Sequence, residues 1–184
     1  MQPRFGLPDG WCRQSPGGKK MIPEIKKILY TTDLSQNARY AFGYAASLAN
    51  RYDAGITIFH VLEDISPTAD SLAINIIGEK KWEELRGKNE KAVLETIKSR
   101  LEKFCEDVQS KLPSCPFITD NILVKIGIPV YEILQEVENN SFDLVVMGAH
   151  GHGALSDAIM GSVSRRVVRR CKVPVLIIRL PDED

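Results

Sequence analysis

"FDLVVMG" (142–148) is a short apolar run closed by a glycine. Such a run marks a strand covered on both faces, as the strands of a parallel sheet are. It leads directly into "GAHGHGALSDAIMGSVSRRVV" (148–168), which packs four glycines and two histidines before a new helical pattern. A buried strand, a glycine-rich turn and a helix are three parts of one strand–loop–helix unit, and the rest of the chain repeats it.

Towards the N-terminus, "IKKILYTTD" (25–33) reads as a strand ending in a polar turn. Ser35 follows as a helix N-cap, because its hydroxyl can accept an orphan N–H of the first turn. The next segment sets Ala38, Ala41, Phe42, Ala45, Leu48, Ala49 and Tyr52 at helical spacing, a small-residue face able to lie close on a sheet. Gly55 breaks that pattern, and "ITIFHVLE" (56–63) is β-branched and aromatic, a second strand. A looser stretch (64–78) precedes a long helix striped by Val93, Ile97, Leu101, Phe104, Val108 and Leu112, stopped by Pro113 and Pro116. "FITDNILVKIG" holds a third strand. Gly127 and Pro129 open a short helix with Val130, Ile133, Leu134 and Val137 inward. On the C-terminal side, 162–170 forms a helix and "KVPVLIIR" (172–179) a last strand, placed at an edge because Pro174 cannot donate to a ladder.

Five strands alternate with four helices. The expected fold is α/β: a single doubly wound, five-stranded parallel sheet in the order 3-2-1-4-5, with helices on both faces. Ligands of such sheets sit beyond the carboxyl ends of the strands, where the strand order reverses. Here that point lies between the first and fourth strands, so the loop carrying Asp33 and the loop carrying the glycines share one crevice.

Composition narrows the function. The chain has 184 residues, 43% hydrophobic and 26% charged, and its 24 basic residues balance 24 acidic ones. That is an ordinary globular range with no net field for nucleic acid. No run approaches the ~18 apolar residues of a membrane span. Residues 1–22 lack the apolar core of an export signal and read as a disordered leader or a start-site artefact, with the folded domain over 23–184. Cys12, Cys105, Cys115 and Cys171 are too scattered for a zinc site or a disulfide framework, which favours reduced thiols in the cytoplasm. Cys105 and Cys171 are expected to be packing residues within helices.

The glycine loop suits an anion. A helix N-terminus offers unsatisfied N–H groups and partial positive charge. Gly148, Gly151, Gly153 and Gly161 let backbone approach phosphate oxygens, and they permit positive φ. Ser162 can cap the helix and donate its hydroxyl. His150 and His152 lack a third ligand for zinc and fit a supporting phosphate contact better than catalysis. His60 is expected to be a packed residue. There is no G-x-x-x-x-G-K-[ST], hence no P-loop lysine, and "GHGALS" lacks the last glycine of a dinucleotide fingerprint. Arg165, Arg166, Arg169 and Arg170 read as a solvated face complementing the helix dipole.

With these residues in place, the sequence resembles the universal stress protein family, specifically its ATP-binding branch. Gly148, Gly151, Gly161 and Ser162 match G-x2-G-x9-G-[ST]; Asp33-Leu34-Ser35, His60-Val61 and the closing Val173 to Leu176 accompany it. The likeness runs over 24–180 and implies a Rossmann-like fold of the adenine nucleotide alpha hydrolase type. It implies that Asp33 and the Val61 backbone hold adenosine, that Met147, Gly148 and Gly151 line the ribose and α-phosphate, and that Gly161, Ser162 and Val163 cradle the outer phosphates. Thr31, Thr32, His150, His152, Gly153 and Ser164 complete the candidate site. Thr31 stands where many relatives carry proline. The implied cofactor is ATP or another adenine nucleotide such as cyclic AMP, with Mg²⁺ or Mn²⁺, and the implied partner a second copy paired through 172–179. No nucleic-acid or membrane partner is expected.

The expected function is a nucleotide-responsive stress or signalling module with slow or no hydrolysis, since no general base or P-loop lysine is evident. Residues 64–78 are the candidate responsive element. A slow ATPase or another adenine-nucleotide hydrolase using His150 or His152, and an interaction protein that needs no nucleotide, are the alternatives.

Overall fold

Strand β1 (Lys27–Thr32) is buried from its second residue to its last and lies at the centre of the sheet. In the computed structural model, residues 23–63, 74–76, 78–111, 118–151 and 160–181 are described. Around β1 run α1 (Gln36–Tyr52), β2 (Gly55–Glu63), α2 (Glu79–Lys111), β3 (Ile118–Gly127), α3 (Pro129–Asn139), β4 (Leu144–Gly148), α4 (Ser162–Arg170) and β5 (Val175–Ile178). The strands form one sheet in the order β3-β2-β1-β4-β5, every pair parallel. The expected architecture is the observed one, with β5 at an edge. β4 and β5 are shorter than the apolar runs that announced them, beginning at Leu144 and Val175, although the Asp143 N–H still donates to the Lys27 carbonyl and the Pro174 carbonyl accepts from the Val145 N–H, both at 2.9 Å.

Alternation along the strands divides two cores. Ile28, Tyr30, Ile56, Ile58 and Val146 face α1 and α2; Leu29, Phe59, Val145 and Met147 face α3 and α4. The period of two that sends neighbouring side chains to opposite faces is what makes both faces apolar. On the first face, Tyr30, Phe42 and Phe104 form an aromatic chain with centroids 5.0 and 5.1 Å apart, tying β1 through α1 to α2. The Tyr30 hydroxyl donates to the Ala38 carbonyl at 2.6 Å, and burial drives its pKa far above the usual range, so it remains a donor.

Ser35 caps α1, its Oγ accepting from the Ala38 N–H at 3.2 Å. The buried face of α1 includes Asn37 and Ala46 in addition to the expected alanines, whereas Tyr52 is 44% exposed. Cys105 packs in the first core, while Cys171 lies one residue past the end of α4, at its C-cap, and is half-buried. No helix among the described residues is long and apolar enough to cross a membrane. The leader (1–22), Cys12, Leu112, Pro113, Cys115, Pro116 and most of 64–78 lie outside the described residues.

Candidate functional site

Beyond the carboxyl ends of β1, β2 and β4 opens a cleft of about 610 Å³, bounded also by the first turns of α3 and α4. Both loops expected to share a crevice meet there. Thr31, Thr32 and Asp33 enter from β1, Val61 from β2, and Met147, Gly148, His150 and Gly151 from the end of β4. Gly161, Ser162, Val163 and Ser164 close it from α4. His152 and Gly153 lie outside the described residues.

The turn after β1 is set by its own side chains. Thr32 Oγ1 accepts from the Leu34 N–H and Asp33 Oδ1 from the Ser35 N–H, both at 3.0 Å. These bonds hold Leu34 in the left-handed region at φ 68°, a conformation that disfavours a branched residue unless its surroundings enforce it. The other oxygen of Asp33 then faces Gly151 so closely that a Cβ there would collide with it.

The opposite wall is organised around Ala149 and His150. The Ala149 N–H donates to the Ile178 carbonyl at 2.7 Å, fixing the end of β4 to β5. The Ala149 carbonyl accepts from the Gly161 N–H at 2.8 Å and from Ser164 Oγ at 2.7 Å, which pins the start of α4 beside the end of β4. Asn37 Nδ2 donates to the His150 carbonyl at 3.0 Å, joining α1 to the same loop.

Two expectations change in detail. Ser162 was expected to cap α4, but Gly161, which has no side chain to cap with, holds the N-cap position. Ser162 is instead the first helical residue and exposed; Ser164 is the serine that turns back to the loop. The glycines were expected to allow close backbone approach and to permit positive φ; Gly148, Gly151 and Gly161 do not use positive φ. They are required by close approach: a Cβ on Gly161 would lie 3.2 Å from the Ala149 carbonyl oxygen, and one on Gly148 would lie 3.1 Å from Asn37 Nδ2.

Sequence reasoning missed part of the lining. Phe59, His60, Leu62 and Glu63 of β2, Pro129 and Ile133 of α3, Ala38 and Met160 also face the cleft. The strand order carried the missing signal, since β2 neighbours β1 and its carboxyl end must open on the same side. His60 is buried as expected, its Nδ1 2.8 Å from the Thr32 carbonyl oxygen, and it lines the cleft as well.

The resulting site has two chemical ends. Phe59, Val61 and Leu62 from β2 and Ile133 from α3 make the side away from α4 apolar. At the other end, α4 begins with backbone N–H groups that have no intrahelical acceptor and, among the described residues, no side-chain cap, under the positive end of its dipole. A molecule with a flat, weakly polar body and an anionic tail matches that division. No cluster of three or more His, Cys, Asp or Glu side chains able to hold a metal occurs among the described residues.

Comparison with known proteins shows the family and the fold. A family model described as the universal stress protein family matches residues 24–179. Universal stress protein MJ0577 of Methanocaldococcus jannaschii is 28% identical over 158 residues, covering 84% of this chain and 94% of its own. Universal stress protein YxiE of Bacillus subtilis is 30% identical over 157 residues, covering 84% and 99%. Among solved structures, hypothetical protein MJ0577 superposes with a TM-score of 0.64 at 24% identity, over 88% of this chain and all of the other. A universal stress protein solved in complex with cAMP shares the fold at a TM-score of 0.54 and 20% identity, over 84% of this chain and 97% of the other.

Proposed function

Given that the chain belongs to the universal stress protein family, we propose that it is an adenine-nucleotide-binding module, with ATP as ligand. The observation that carries this reading is the division of the cleft into an apolar end and a helix N-terminus. In this reading the base rests near Val61, Phe59 and Ile133. Asp33 and the Val61 backbone recognise adenosine, and Met147, Gly148 and Gly151 flank the ribose and first phosphate. The N–H groups of Ser162 and Val163 take the outer phosphates beside Gly161, whose own N–H is held by the Ala149 carbonyl, with Ser164 holding the turn and His150 beside it. His152 and Gly153 belong to the same loop by sequence.

Bound Mg²⁺ or Mn²⁺ would take its ligands chiefly from the phosphates, which suits a cleft poor in clustered carboxylates. Binding dominates over turnover here, because phosphoryl transfer needs positioned charge around the terminal phosphate. The chain offers amides, and no P-loop lysine, for that purpose. Residues 64–78 remain the proposed responsive element. We further propose a homodimer that pairs β5 edge to edge, which would cover the sheet edge left open by the strand order. Scattered free thiols favour a reducing, cytoplasmic setting.

Isothermal titration with ATP and Mg²⁺ tests the ligand: saturable binding at one site per chain is expected, and none at millimolar nucleotide overturns the proposal. The neighbour solved with cAMP makes that nucleotide the second candidate, and a parallel titration ranks the two.

A further inference from the structure

Helix α4 places Arg165, Arg166, Arg169 and Arg170 within nine residues that include no acidic side chain. All four are exposed, and together they wall a surface concavity of about 300 Å³. The helix dipole accounts for Arg169 and Arg170, which occupy the last turn. It does not account for Arg165 and Arg166, which precede that turn, so the dipole explains half of the face. Arg165 and Arg169 stand four residues apart, as do Arg166 and Arg170, and like charges at that spacing oppose helix formation.

None of the four forms an ion pair with another described residue. The neighbouring Lys172 does, with Glu138 at 2.8 Å. The long helix α2 shows what a solvated face looks like in this chain: lysines mixed with glutamates along its length. On α4 every cation is arginine, whose planar fork binds oxyanions in pairs.

We propose that the outer face of α4 is a docking surface for an acidic helical segment of another protein. Glutamates four apart on such a segment would meet the Arg165–Arg169 and Arg166–Arg170 pairs with matching spacing. A nucleic acid is the poorer fit, since the chain has no net positive charge and phosphate-led binding spreads over many contacts. A membrane is poorer still, because Val168 is the exposed apolar residue among these arginines. The first turn of the same helix lines the cleft, so a docked partner would touch the element that also closes the ligand site. The inference stands on the arginine face and not on what fills the cleft.

The test is fluorescence anisotropy with the full chain and a labelled helical peptide carrying glutamate pairs four residues apart. Binding is expected, weakening about tenfold or more from low to high salt. Charge reversal in R165E/R169E should weaken it by about tenfold or more, with an unchanged circular dichroism spectrum. The charge-keeping R165K/R169K should fall in between, because it loses the fork. Should the reversed variant unfold, R166Q/R170Q reads the same face. Absent peptide binding, equal binding by the reversed variant or by R166Q/R170Q, or tighter binding of a single-stranded oligonucleotide of equal charge would each overturn the proposal.

Discussion

Asn37, in the first turn of α1, donates its side-chain amide to the backbone carbonyl of His150, 113 residues further along the chain, at 3.0 Å. This bond joins the start of α1, which follows the loop after β1, to the loop after β4. The Asn37 side chain is buried and its carbonyl oxygen has no partner among the described residues, so the residue carries a desolvation cost in exchange for position. Asn37→Ala should lower stability by about 1 kcal/mol and weaken ATP binding. Asn37→Asp should cost about 2–3 kcal/mol, because it faces a buried carboxylate towards a carbonyl. Urea unfolding measures both, and a variant Asp as stable as the parent would rule out this role.

Gly151 and Gly161 make a contrasting pair. A methyl on Gly151 collides with the Asp33 carboxylate, but the residue is exposed, so Gly151→Ala should leave Tm nearly unchanged while cutting ATP affinity about tenfold. Gly161→Val presses on the Ala149 carbonyl and Ser164 Oγ that fix the start of α4. It should abolish binding and lower stability by about 1–2 kcal/mol. Titration and thermal melts on the two variants separate ligand contact from loop support; equal behaviour would mean that the glycines act alike.

Glu136 is 6% exposed, and both of its carboxylate oxygens are bonded at 2.8 Å, one to Lys125 and one to Asn140. Lys125 also lies 5.5 Å from the Phe59 ring centroid. Lys125→Met would strand the carboxylate and should cost about 2 kcal/mol, less than a fully buried pair because the lysine is partly solvated. The double variant Lys125→Met/Glu136→Leu should recover most of that loss in urea unfolding. A double variant less stable than the single one would show that the pair itself is strongly favourable.

Burial pushes the Cys105 thiol up from 9.0 to about 11, against a weaker lowering by the Thr119 hydrogen bond. The folded state therefore holds its proton where the unfolded chain has lost it. This contribution to stability is complete below pH 9 and lost as pH rises from about 9 towards 11. A Cys105→Ala variant should show a flatter decline over that window in pH-dependent unfolding. Mass spectrometry after alkylation of the native protein at pH 8 should find Cys105 unmodified; rapid modification would contradict its burial.

The glycine pattern and the strand–helix alternation were readable because both are local. A β-branched run, a helical stripe or a cap such as Ser35 depends on residues a few positions apart. The burial of Asn37 and Glu136 was not readable, since an exposed polar residue and a bonded buried one look alike in a helical pattern. For the same reason the cap of α4 was assigned to Ser162, the better capping residue by type. In the structure Gly161, its N–H held by the Ala149 carbonyl, has the extended backbone of the N-cap, and Ser162 is already helical.

By itself the amino-acid sequence determined the five strands, the helices that cover them, their order in the sheet and the edge at which the cleft opens. Hydrophobic period and crossover handedness leave few other ways to cover both faces of such a sheet. Tertiary structure alone decided which side chains meet there: the carboxylate of Asp33 against Gly151, the amide of Asn37 on His150, and Phe59 and Ile133 as an apolar end. Those relationships join residues far apart in the chain, and only packing brings them within a few ångströms.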